Sequence, residues 1–86
     1  MPVISRFFGI VVMIYYKDHP PPHFHVRYGE KQARFTIDTL TQMDGDISPR
    51  VRELVLDWAK QHQEALAEDW RLAMNREPLK PIDPLE

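Results

Sequence analysis

The chain has 86 residues, 43% of them hydrophobic and 28% charged, with a formal net charge of −2. That length supports one domain, the composition is that of a folded globular protein, and the charge lacks the basic excess of a general nucleic-acid binder. No cysteine is present, which excludes a disulfide framework and a thiolate zinc site.

Met1 to Arg6 carry no basic stretch ahead of an apolar run, and Phe7 to Tyr16 is too short to cross a bilayer, so a cytoplasmic protein without membrane contact is expected. Charge is unevenly placed. Residues 1–43 hold five basic and three acidic side chains plus three histidines, whereas residues 44–86 hold six basic and ten acidic. Such a split points to an anionic partner for the first half.

In chain order, residues 7–16 form a continuous apolar run rich in β-branched and aromatic side chains, which predicts a central strand buried on both faces. Lys17 to Pro22 breaks it. Residues 23–28 alternate: Phe24, Val26 and Tyr28 point one way, His23, His25 and Arg27 the other. Gly29-Glu30 suits a two-residue type II′ turn into a strand over 31–38. With that turn, opposed residues have numbers summing to 59. Phe24 then faces Phe35 and Val26 faces Ala33 on the inner side, while His23 faces Thr36, His25 faces Arg34 and Arg27 faces Gln32 on the outer. A fourth strand over 39–43 is an alternative to a loop before Asp44-Gly45-Asp46 turns the chain.

Ser48-Pro49 is a helix start, since the hydroxyl caps a free N–H and proline is tolerated at the first helical position. Apolar residues from Val51 to Ala73 recur at helical spacing, which predicts one helix over 49–76, continuous or bent near residues 60–63. Leu66, Trp70 and Met74 drift off its main stripe and are candidates for a homodimer contact. The proline-rich tail 77–86 is extended. The fold class expected is α+β: a single domain over 1–86, with a three- or four-stranded antiparallel β-meander packed on one face by a long C-terminal helix.

The chemistry concentrates in His19-Pro20-Pro21-Pro22-His23-Phe24-His25. His23 and His25 share a strand face, and His19 can return across the proline turn to complete three nitrogen ligands for a divalent metal. Two points count against a metal cofactor: no carboxylate stands at a motif-like spacing, and Arg34 is placed beside His25. His23, His25, Arg27 and Arg34 instead suit an anion, RNA or DNA. The same histidines suit a small nuclease or metal-dependent hydrolase, with His25 and His23 as base and acid. A purely structural role also fits, in which the histidines hydrogen-bond free carbonyls of a rigid proline loop while Phe24 anchors it.

Ile4-Ser5-Arg6-Phe7-Phe8-Gly9-Ile10, the stretch Tyr15 to His25, Trp58 in its helix and Pro78-Leu79-Lys80-Pro81-Ile82 together resemble the family called domain of unknown function 4160. The resemblance spans nearly the whole chain. It implies a bacterial or archaeal cytosolic protein whose gene sits beside another in arrangements that look like toxin–antitoxin pairs, and it implies no established activity. The function expected is a small binding module in a two-gene regulatory unit. It would take an anionic ligand, nucleic acid or a partner protein from the neighbouring gene through His19, His23, His25, Arg27 and Arg34.

Overall fold

The structure, a computed structural model, describes residues 2–86. Phe8 and Gly9 both take positive φ, 50° and 80°, and this two-residue turn cuts the apolar run 7–16 in two. Positive φ at both central residues is the requirement of a type I′ hairpin, whose twist matches that of the flanking strands. The expected single central strand is therefore two: β1 (Val3–Phe7) returns antiparallel as β2 (Ile10–Met13). Residues 14–16 leave the sheet.

Beyond the proline loop, β3 (His23–Tyr28) and β4 (Lys31–Thr36) form the expected hairpin, with β4 ending two residues short of the expected 38 because residues 37–39 turn. Of the two loop residues Gly29 alone has positive φ, as a type II′ turn needs. Every pairing deduced from that turn is present: His23 with Thr36, Phe24 with Phe35, His25 with Arg34, Val26 with Ala33 and Arg27 with Gln32. The last strand, β5 (Gln42–Gly45), lies later than the expected 39–43, because Thr36, Thr39 and Thr41 knit their hydroxyls into a turn of their own. The sheet is a five-stranded antiparallel meander in the order β1-β2-β3-β4-β5, where three or four strands were expected.

Helix α1 (Pro49–Gln61) starts as its sequence dictates, with the Val51 N–H donating to the Ser48 hydroxyl at 3.2 Å. The helix does not continue to residue 76. His62, at φ −129° and ψ 23°, breaks it within the stretch 60–63 where a bend was the alternative, and α2 (Gln63–Met74) follows. On a straight helix Leu66, Trp70 and Met74 would rotate off the stripe led by Val51, Val55 and Trp58. The break turns them back toward the sheet, and the Gln63 amide anchors the new start by donating to the Ile37 and Asp38 carbonyls. Leu66 is fully buried, and Trp70 and Met74 pack against the same core. The stripe expected to meet a second copy thus packs within the chain, with Trp70 and Met74 left half-buried.

The core centres on Trp58, whose ring lies 5.3 Å from Phe7 and 6.1 Å from Phe24, with Phe24 stacked on Phe35. Each such fully buried side chain contributes about 1.5–3 kcal/mol of transfer free energy. The tail docks over this core. The Ile82 N–H donates to the Ile4 carbonyl at 2.8 Å, covering part of the β1 edge, and the Trp58 indole donates to the Asp83 carbonyl at 2.8 Å. Among the described residues no helix is long and apolar enough to cross a membrane.

Candidate functional site

Alternation along β3 sends Phe24 into the core and His23 and His25 to the opposite face. That face is not open along its length. His23 is only 1% exposed, because Trp70 of α2 lies against its ring at 5.2 Å, and Tyr15 packs edge-on against His25 at 4.3 Å. The Lys17 N–H, bonded to the Ala73 carbonyl, ties the start of the proline loop to the end of α2.

This loop returns Asp18, rather than His19, to the two strand histidines. Asp18 Oδ2 lies 3.0 Å from His23 Nε2 and 3.0 Å from His25 Nε2, while its Oδ1 accepts the His19 backbone N–H at 2.8 Å. His19 is exposed and outside the cluster, so of the candidate set His19, His23 and His25 only the last two come together, and the third member of the cluster is Asp18. Their three donor atoms lie within 4.8 Å of one another. Asp18 escaped the sequence reasoning because its approach depends on the path of three prolines. The signal in the chain was a carboxylate inside the breaker, five and seven residues ahead of two same-face histidines.

Hydrogen-bond chemistry constrains the protons. His23 Nδ1 lies 2.8 Å from the Pro21 carbonyl oxygen, which can only accept, so Nδ1 carries a hydrogen. This contact is the one expected of a structural proline loop. It leaves the other ring nitrogen, Nε2, facing the Asp18 carboxylate at 3.0 Å. A lone pair cannot sit against a carboxylate oxygen at that distance unless a cation, either a proton or a metal ion, lies between them.

Burial works to raise the Asp18 carboxyl. The hydrogen bonds from His25 and the His19 amide, with charge on His23 and His25, together hold it below the ordinary carboxylate range. Burial depresses His25, aided by His23 and Arg34, against the opposing pull of Asp18. Both shifts favour the deprotonated, ligand-competent forms at neutral pH.

The remaining expected residues divide. Arg34, opposite His25, is held by Asp44, which accepts from its Nε at 3.0 and 3.1 Å and also from Nη2. Arg27 is half-buried on the same face, between Val11 and Gln32, with no side-chain partner among the described residues. With Asp18 and Asp44 present and His23 buried, the face is of mixed charge rather than the cationic surface expected. A shallow depression of about 390 Å³ lies over His25, Gln32, Arg34 and Asp44.

The family model of a domain of unknown function (DUF4160) matches residues 9–71. The match takes in the proline–histidine loop and α1, and it is narrower than the nearly whole-chain resemblance, leaving out β1 and the tail. No curated protein and no solved structure matches the chain.

Proposed function

Because the chain belongs to the DUF4160 family, a domain of unknown function, we propose a role from its own residues: it is a small divalent-metal-binding module with Asp18, His23 and His25 as ligands. The observation that carries this reading is the His23 ring, whose Nδ1–H is tied to the Pro21 carbonyl and whose Nε2 is thereby presented to Asp18. A backbone carbonyl fixing the far nitrogen is the usual support of a metal-bound imidazole. Adjacent ligands around tetrahedral zinc stand about 3.3 Å apart, so a ligand pair now at 3.0 Å needs to spread by only a few tenths of an ångström. Oxygen and imidazole donors without thiolate suit zinc and its first-row neighbours better than calcium or magnesium.

Three protein ligands leave a fourth position open, the arrangement of catalytic rather than closed structural sites. An enzymatic role would therefore run through the metal. Acid–base chemistry by His23 alone is disfavoured, since both its nitrogens are engaged and its ring is buried. The wider role, a binding module working with a partner protein from a neighbouring gene, rests on the family resemblance, and co-purification of the two products tests it.

Calorimetric titration of untagged protein with zinc tests the metal reading. One equivalent is expected to bind, and Asp18→Asn or His25→Ala to weaken it more than about tenfold. A wild-type protein that takes up no zinc, or takes it up equally in those variants, leaves a proton-bridged His23–Asp18 pair as the explanation.

A further inference from the structure

We infer that the open side of this metal site takes a phosphate group, free or as a monoester, held between the metal ion and the guanidinium of Arg34. The inference rests on the metal reading and names the ligand class of that same site. Its first support is exposure. His23 is closed off at 1%, whereas His25 and Asp18 keep 19% and 20% of their side chains accessible, so a fourth ligand approaches from the side these two share, away from His23. The depression on that side is bounded by His25, Gln32, Arg34 and Asp44.

The second support is the way Arg34 is held. Asp44 occupies one edge of the guanidinium, the Nε and Nη2 edge, in a fork contact. Nη1 has no partner among the described residues. A guanidinium clamped along one edge keeps a second planar fork for an incoming oxyanion, and its rotamer freedom is already restricted by the first contact. Asp44 is in this account a positioning residue for Arg34. The strand register sets the spacing, because Arg34 is the direct cross-strand partner of His25 and their side chains leave the same face of the sheet.

The third support is valence. A carboxylate offers two coplanar oxygens, whereas phosphate or its monoester offers at least three set tetrahedrally, so that one meets the metal while two meet a guanidinium fork. Phosphate has further oxygens for Gln32 and for Arg27, the half-buried cation one same-face position along β3 from His25. Net charge agrees with this limit: Asp18 and Asp44 offset the local cations, which suits a single small oxyanion bridged by a metal better than a long polyanion.

The test uses cobalt(II)-loaded protein, whose visible absorption reports the coordination shell. Inorganic phosphate, methyl phosphate, dimethyl phosphate and acetate are titrated separately. Saturable spectral change is expected with inorganic phosphate and methyl phosphate and not with acetate over the same range, and dimethyl phosphate, whose two unesterified oxygens match the number in acetate, is expected to give none. Arg34→Gln is expected to weaken phosphate binding about tenfold or more while cobalt is still bound at least as tightly as by wild type, since a neighbouring cation is removed, and Arg34→Lys, which keeps the charge but loses the fork, to fall between. Cobalt binding with no phosphate response, or a response equal in wild type and Arg34→Gln, overturns this inference and leaves the metal reading standing. Failure to bind cobalt and zinc overturns both. Arg34 lies on the exposed sheet face, so its variants fold, and circular dichroism confirms this.

Discussion

His23 donates through Nδ1 to the carbonyl of Pro21 at 2.8 Å, two residues back along the chain. The proline loop thus fixes the orientation of the imidazole that begins β3, and Asp18, across the loop, meets its other face. A histidine buried to 1% with both nitrogens committed is a costly arrangement unless each contact is satisfied. Its partners are supplied by residues 18 and 21, and its packing by Trp70.

Removing the carboxylate tests the pair without metal. Asp18→Asn leaves His23 Nε2 without an anionic partner in a buried setting, and metal-free protein is expected to lose about 3 kcal/mol in urea unfolding. A loss below about 0.5 kcal/mol would show that Asp18 and His23 are not paired in solution.

Trp70 covers His23 and belongs to the apolar set of α2. Trp70→Ala is expected to lower stability by about 2 kcal/mol or more while sedimentation returns the same mass for wild type and variant. A dimer that dissociates on this substitution would contradict the intramolecular packing.

The hairpin turn at Phe8 holds a bulky, 61% exposed residue at φ 50°. Asparagine tolerates that region and is the favoured residue of type I′ turns, so Phe8→Asn is expected to raise stability by about 1 kcal/mol. Destabilisation instead would mean that the Phe8 ring, edge-on to Phe7, contributes more packing than its exposure implies.

Asp69 supplies a pH test. It is 1% exposed; Oδ1 accepts the Lys80 N–H at 2.8 Å, and Oδ2 has no partner. Burial, aided by Glu68, raises its carboxyl above the ordinary 3.8, against the Lys80 contacts. A folded value above the unfolded one means that the folded state holds the proton more tightly. Its contribution to stability is therefore present at low pH, falls as pH rises from 3.8 through the raised folded value, and is constant above that. Chemical denaturation across this range should show Asp69→Asn gaining on wild type as pH rises. A constant difference would place Asp69 in contact with water or a counter-charge.

The β3–β4 hairpin was legible to the residue because Gly29 is needed for its turn and alternation then leaves one register. The Phe8–Gly9 turn was not, because an apolar residue sits where polar ones usually mark a reversal, leaving Gly9 as the sole signal inside an apolar run. The break at His62 falls in the stretch 60–63 where a bend was one of two alternatives, signalled by the drift of Leu66, Trp70 and Met74; no proline or glycine chooses between them, and tertiary contacts at Gln63 and Leu66 decide it. In the candidate site, His23, His25 and Arg34 and their shared face followed from register. Asp18 and the covering Trp70 did not, since both depend on how a loop and a helix end close over the sheet.

Zinc K-edge absorption fine structure on protein carrying one equivalent of zinc tests the central claim most directly. The account predicts a shell with two imidazole nitrogens at about 2.0–2.1 Å and carboxylate or water oxygen at about 2.0–2.2 Å, with the imidazole scattering reduced to one ring in His25→Ala. A shell of oxygens alone, or one unchanged by that substitution, would contradict it.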